Sequence, residues 1–94
     1  MGQERRAEVT VVLSNRYGLH ARPATQFVEL ANRFVCDVIV IKQGTEVNGK
    51  SIMGIMMLGA ECGSELLIRA VGDEAETAVE RLAELVRSRF GGEE

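Results

Sequence analysis

Four short segments of this chain predict β-strands, two of them through alternation along the chain and two as the arms of a hairpin. The first runs from Val9 to Leu13 and ends at Ser14-Asn15. The β-branched run 38–41 and the segment 45–47 lie on either side of a Gln-Gly turn and predict a hairpin. The fourth segment covers 66–70, where apolar residues alternate again, and Gly72 then turns the chain.

Apolar residues at three- and four-residue spacing predict amphipathic helices between these strands. The first helix begins near His20 and has Pro23 in its first turn, where the missing N–H has no intrahelical partner. Its buried stripe is predicted to comprise Ala24, Phe27, Val28, Ala31 and Phe34. A short second helix covers Ile52 to Leu58, and the hydroxyl oxygen of Ser51 can accept a hydrogen bond from its first turn.

A third helix is predicted near the end of the chain. It begins at the capping-box-like pair Asp73 and Glu76 and ends at Gly91-Gly92, and the acidic tail Glu93-Glu94 is predicted to fray. Its buried stripe is predicted to comprise Ala75, Ala78, Val79, Leu82, Leu85 and Val86.

The order of these elements is β-α-β-β-α-β-α, which predicts an α+β two-layer sandwich with the helices on one face of a four-stranded sheet. The pattern leaves the order of the strands open. A length of 94 residues fits one domain over 1–94 with a modest core.

Composition and charge narrow the class of protein. The net charge of -3 argues against a general nucleic-acid binder. No apolar run approaches the roughly 20 residues that cross a bilayer, and residues 1–7 lack the apolar centre of a signal peptide, so a cytoplasmic location away from membranes is expected. Cys36 and Cys62 have no further Cys/His cluster nearby, which predicts reduced side chains and no metal site or cofactor.

The candidate chemistry lies at the start of the first helix, where His20 precedes Arg22 and Pro23. An imidazole near neutral pH is a nucleophile. A helix N-terminus favours a bound anion through its N–H groups and dipole. A phosphoryl group on His20 would therefore meet that dipole and the guanidinium of Arg22 together.

Two motifs give this chain a family resemblance. Gly18-Leu19-His20-Ala21-Arg22-Pro23-Ala24 resembles the active-site segment of the HPr phosphocarrier family of the bacterial sugar phosphotransferase system. The segment 48–56 is similar to the regulatory serine segment of the same family, and the resemblance extends from Val9 to Phe90. It implies an antiparallel open-faced sandwich. It also implies that His20 Nδ1 accepts a phosphoryl group from enzyme I, charged by phosphoenolpyruvate, and passes it to enzyme IIA components.

The resemblance further implies regulation and a docking surface. Ser51 would be phosphorylated by a dedicated HPr kinase/phosphorylase, which weakens transfer from enzyme I and in some bacteria promotes binding to a transcriptional regulator. The second helix has more apolar residues than one side can bury, so with Ile55 and Leu58 inward the others are expected at the surface. The expected partner-binding residues are Ala21, Thr25, Ile52, Met53 and Met56. A monomer is expected, and Tyr17 is predicted to be a packing residue.

Two alternatives stay open at this point. The first keeps the fold but makes the protein a regulatory module of an incomplete or nitrogen-related phosphotransferase system, acting on a kinase or transcription factor without sugar transport. The second is a nucleotide-binding enzyme, since 44–51 satisfies the expression G-x-x-x-x-G-K-[ST]. Its context is unfavourable because Glu46 would place a carboxylate in the phosphate cradle and 45–47 has the pattern of a strand.

Overall fold

The structure is a computed structural model that describes residues 5–92, so the predictions for residues 1–4 and for the Glu93-Glu94 tail lie outside it. Four strands and four helices follow one another along this part of the chain. They are β1 (Arg6–Val12), α1 (Ala21–Ala31), β2 (Asp37–Lys42), β3 (Thr45–Asn48), α2 (Ile52–Met57), β4 (Glu65–Val71), α3 (Ala75–Arg87) and α4 (Arg89–Gly92). The α+β class and the order of the first seven elements are confirmed.

The strands form one antiparallel sheet in the order β1-β4-β2-β3. β4 is therefore a central strand, and its Ile68 lies opposite Val9 of β1 and Val40 of β2. Alternate residues of the central strands, such as Val38 and Leu66, are buried on one face of the sheet. This alternation is the two-residue period of a strand with one buried face, and for β1 and β4 it is the pattern from which the strand was predicted.

The helices cover the buried face of the sheet. α3 packs on β1 and β4, and α1 packs against both α2 and α3. The buried side chains of α1 are Pro23, Ala24, Phe27, Val28 and Ala31. They belong to one continuous apolar core with the inward residues of the strands, which fixes both ends of α1 relative to the sheet.

The start of α3 differs from the prediction of a capping box. Glu74, not Asp73, occupies the N-cap position, in the left-handed region with φ of 70° and with no side-chain capping bond to the described helix. The Glu74 carboxylate instead accepts a 3.0 Å hydrogen bond from the Val35 N–H. The prediction was wrong because this carboxylate accepts a hydrogen bond from the backbone of a distant loop and not from the first turn of its own helix.

The end of α3 also differs from the prediction. The helix stops at Arg87, where the chain turns through left-handed residues that include Arg89 and Phe90, both with φ of 55°. This turn carries the Phe90 ring back into the core. Along the helix, Ala83 is buried and Leu85 only half-buried, so the buried stripe is rotated slightly from the predicted one.

Candidate functional site

Helices α1 and α2 lie side by side and run in opposite directions. At one end the Lys50 ammonium, just before α2, donates a 2.6 Å hydrogen bond to the Phe34 carbonyl oxygen, just after α1. At the other end the Leu19 N–H, just before α1, donates a 3.0 Å bond to the Ala60 carbonyl oxygen, just after α2. Since α1 has 11 residues and spans about 16 Å, His20 and Ser51 lie at opposite ends of this pair.

His20 is the N-cap residue of α1. Its backbone is extended, with φ of -79° and ψ of -174°, and its carbonyl oxygen accepts the first helical bond, 3.0 Å from the Ala24 N–H. Among the described residues its imidazole makes no capping bond to this helix. The side chain is half-exposed. An imidazole is thus held at the positive end of the α1 dipole while remaining accessible to another protein.

The loop before His20 has a fixed backbone conformation. Gly18 has φ of +67°, and a Cβ placed on it would lie 2.3 Å from the Ala60 carbonyl oxygen, so only glycine fits. The loop is also fastened to residues 63–64, because the Leu13 N–H donates to the Ser64 carbonyl oxygen at 2.9 Å and the Gly63 N–H donates to Leu13 at 2.8 Å. The Leu13–Ser64 bond continues the register of β1 with β4, whereas the bond from Gly63 lies one residue out of that register, and the regular pairing ends at Val12.

Asn15 is a residue of the site that the sequence pattern did not single out. Its side chain is completely buried, and its amide nitrogen donates a 2.7 Å hydrogen bond to the Gly18 carbonyl oxygen. Its backbone carbonyl accepts from the Gly18 N–H at 3.2 Å. The signal that could have found it is an asparagine three residues before a glycine in a turn, where asparagine side chains bond the nearby backbone.

Tyr17 is not the packing residue that was predicted. It is 62% exposed, and its ring lies edge-to-face against the His20 imidazole, with the centroids 6.0 Å apart and an interplanar angle of 81°. The guanidinium carbon of Arg16 lies 5.4 Å from the centroid of the same ring. The prediction was wrong because the loop turns this side chain towards the site instead of into the core.

The other predicted residues of α1 occupy its first two turns. Ala21 and Arg22 are exposed, and Thr25 is half-buried, with its hydroxyl donating a 2.8 Å bond to the Ala21 carbonyl oxygen. Pro23 lies in the first turn, as predicted, and it is also buried, although it was not in the predicted stripe. Arg22 and Ala21 therefore flank His20 on the accessible side of the helix start.

The exposed side of α2 is an apolar surface, which we call the α2 patch. It is lined by Ile52, Met53, Met56 and Met57. Met53 and Met57 are 72% and 75% exposed, whereas Ile55 and Leu58 are buried, as predicted. Met57 was not among the predicted patch residues, because a helix of six residues has too little periodicity to assign every position.

Ser51 caps α2 as predicted. Its hydroxyl oxygen accepts a 3.0 Å hydrogen bond from the Gly54 N–H, and the residue is half-exposed. A phosphoryl group on this oxygen would lie at the helix N-terminus, which tolerates a dianion. The patch extends from this serine towards the end of α2 that adjoins the His20 loop.

The apparent nucleotide-binding motif is not a phosphate-binding loop in this structure. Residues Thr45–Asn48 form β3, paired with β2, so the central half of the motif is extended strand. Lys50 is directed to the Phe34 carbonyl oxygen. Gly49 is required for packing, since a Cβ there would lie 2.5 Å from Val38 Cγ1. The motif therefore matches a hairpin that leads into a helix cap.

The cysteines and acidic residues make no further cluster within residues 5–92. No group of three or more His, Cys, Asp or Glu side chains in this range could hold a metal ion. Cys36 is buried and Cys62 is exposed, and both are free thiols. Burial raises the pKa of the Cys36 thiol, with the Lys50 charge acting in the opposite direction. No helix in the same range is long and apolar enough to span a membrane.

Comparison with known proteins connects this geometry to a family. Residues 7–88 match the family model described as PTS HPr component phosphorylation site. The HPr-like protein Crh of Bacillus subtilis is 49% identical over 70 residues, which cover 74% of this chain and 82% of Crh.

Two solved structures have the same fold. HPr-C-His from Thermoanaerobacter tengcongensis is 45% identical, with a TM-score of 0.90 over 94% of this chain and 99% of its own. A crystal structure of Bacillus subtilis Crh, described as a swapped dimer, is 44% identical, with a TM-score of 0.73 over 84% of this chain and 91% of its own.

Proposed function

Because this chain belongs to the HPr phosphocarrier family of the phosphotransferase system, we propose that His20 carries the phosphoryl group. The observation that supports this role most strongly is the position of His20, half-exposed at the N-cap of α1. The helix dipole and the first-turn N–H groups favour the negative charge of a phosphoryl group there.

The proposed reaction is transfer between two proteins. The Nδ1 lone pair of His20 attacks phosphorus, an N–P bond forms, and the bond between phosphorus and phospho-enzyme I breaks. Passing the group to an enzyme IIA component reverses this bond change at His20. Arg22, in the first turn, offsets phosphoryl charge through its guanidinium in both steps. The protein is a carrier in this scheme, without a small-molecule substrate or cofactor of its own.

The α2 patch is the proposed contact surface for enzyme I and the enzyme IIA components, together with Ala21 and Thr25. Exposed methionines suit a surface that binds several partners in turn, because the side chain is flexible and polarisable. The patch adjoins the His20 loop through the end of α2. A partner bound there can therefore reach the imidazole.

Ser51 is the proposed regulatory site, modified by an HPr kinase/phosphorylase. The α1 helix separates it from His20, so a phosphate on Ser51 would act through the docking surface instead of through contact with the imidazole. Ser51→Asp should raise KM for enzyme I while leaving kcat unchanged, because the charge lies at the edge of the patch. Ser51→Asn keeps a capping oxygen without the charge and should behave as wild type.

A regulatory role is the second candidate, favoured by the 49% identity to Crh, the catabolite repression HPr of Bacillus subtilis. In that role the protein, or its Ser51-phosphorylated form, would bind a kinase or a transcriptional regulator in the cytoplasm. The monomer stays a prediction, and sedimentation of the purified protein would test it against a dimer of the kind described for Crh.

The deciding experiment is intact-mass analysis after incubation with phosphoenolpyruvate and enzyme I. Wild-type protein should gain one acid-labile phosphate, and His20→Ala should gain none. Ser51→Ala is the matched control and should still be charged. If an enzyme I that charges another carrier leaves the wild-type protein unmodified, the carrier role is wrong and the regulatory role becomes the better account.

A further inference from the structure

We propose that Asn15 is a positioning residue for phosphoryl transfer, acting through Gly18 to hold His20 in its reactive orientation. The inference rests on the proposed role of His20. Asn15 lies five residues before the imidazole that it positions, and it is connected to that imidazole by a series of fixed contacts.

The first contact is the buried amide itself. The Asn15 side chain donates to the Gly18 carbonyl oxygen while the Asn15 carbonyl accepts from the Gly18 N–H, at 2.7 and 3.2 Å. The two bonds close the turn from both sides. The turn therefore has one conformation, set by a side chain that is 0% exposed.

The next contacts fix the backbone between this turn and His20. Gly18 lies against the Ala60 carbonyl oxygen so closely that no Cβ fits, and the Leu19 N–H donates to the same oxygen at 3.0 Å. The Leu19 side chain is buried in the core. With residues 18 and 19 fixed, the backbone enters α1 at one angle and His20 becomes its N-cap.

The chemistry of Asn15 indicates a role beyond packing. Its Oδ1 is buried and has no hydrogen-bond partner among the described residues, so only the donor half of the amide is used. A buried polar atom without a partner lowers stability. An apolar side chain of similar size would avoid that cost but could not donate to Gly18, so the amide is explained by the bond that it makes.

The same turn directs Tyr17 towards the site. Tyr17 lies between Asn15 and Gly18, which the two hydrogen bonds join, and its exposed ring contacts the imidazole. Release of the turn would therefore change the environment of the His20 ring protons as well as its orientation, which provides a spectroscopic signal independent of transfer.

The test uses Asn15→Leu in the full chain. This variant keeps the branched shape of the side chain without a donor and leaves the Gly18 carbonyl oxygen without that bond, so the melting temperature should fall by about 10 °C while the protein still folds. We expect kcat for phosphorylation by phospho-enzyme I to fall about tenfold, because a small misplacement of a reacting group is costly. KM should be unchanged, since the α2 patch is intact. The His20 ring-proton resonances should shift.

Two further variants keep the inference falsifiable. Asn15→Ala also removes the donor, leaves a small void, and should lower kcat by a similar factor even if the leucine variant does not fold. Val86→Ala, in the buried stripe of α3, lowers stability away from the site and should leave kcat unaltered. A kcat within twofold of wild type in a folded Asn15 variant, or unshifted His20 resonances, would overturn the positioning role. Wild-type protein that takes up no phosphate would instead overturn the proposed function.

Discussion

Lys50 and Phe34, sixteen residues apart, are joined by a hydrogen bond of 2.6 Å from the ammonium to the carbonyl oxygen. The bond ties the residue before Ser51 to the turn after α1. It holds the Ser51 end of the α2 patch against the end of α1 that is remote from His20.

Replacing Lys50 with methionine should lower stability without affecting transfer. The loss of a partly buried charged hydrogen bond should reduce the free energy of unfolding by about 1.5 kcal/mol, measured by urea denaturation. Phosphorylation of His20 by enzyme I should keep its wild-type kcat. A loss of nucleotide binding in this variant, measured with ATP by calorimetry, would revive the nucleotide-binding alternative.

Tyr17 should contribute to transfer through its ring and not through its hydroxyl. The edge-to-face contact orients the imidazole, so Tyr17→Ala should lower kcat for transfer about threefold, in line with the modest energy of an aromatic pair. Tyr17→Phe keeps the ring and should transfer at the wild-type rate. Equal rates for all three proteins in single-turnover measurements would show that the contact is incidental.

The α2 patch should contribute to binding but not to stability. Met53→Asp places a charge on a side chain that is 72% exposed, so the melting temperature should hardly change. KM for enzyme I should rise about tenfold through loss of apolar contact. Val35→Asp is the matched control, since Val35 is 76% exposed but lies outside α2, and it should leave KM unaltered.

Stability at alkaline pH should depend on Cys36. Burial raises the pKa of its thiol, so the unfolded chain ionises first, at about pH 8.5. The contribution of the neutral buried thiol is fully present below that pH and is lost as pH rises through the folded-state pKa.

Urea denaturation over a pH series measures this effect. From about pH 8.5 upward, the free energy of unfolding should fall more steeply for wild type than for Cys36→Ala. Cys62→Ala should keep the wild-type slope, because Cys62 is exposed in the folded protein. If the free energy of unfolding falls with pH as steeply for Cys36→Ala as for wild type, the burial of Cys36 does not account for the loss of stability at alkaline pH.

The sequence predicts those parts of the fold that depend on local pattern. The two-residue and 3.6-residue periods located the strands and helices, and the Ser51 cap was confirmed because its partner, Gly54, lies within the same turn. The order of the strands could not be predicted, since β4 pairs with β1 across about sixty residues. Glu74 was missed as an α3 boundary for the same reason, as its partner is the Val35 N–H.

The position of His20 at a helix start was predictable from the sequence, but the contacts that support it were not. His20, Arg22 and Pro23 form a short motif. Pro23 predicts a helix start, and a helix start favours an anion beside His20 and Arg22. The contacts of Asn15 and Tyr17 depend on a left-handed turn at Gly18, which forms against the Ala60 carbonyl oxygen. No spacing within the motif indicates that Gly18 will contact Ala60, a residue far along the chain.

The bonds from residues 13 and 19 to residues 60–64 have a consequence for synthesis of the protein. On the ribosome, the His20 loop emerges early but lacks its supports until Ser64 of the 94-residue chain has been made and β4 can enter the sheet. Contacts of such sequence separation form late and slowly. A nascent or truncated chain that ends before residue 60 would therefore contain the complete histidine motif without the backbone bonds that hold its loop.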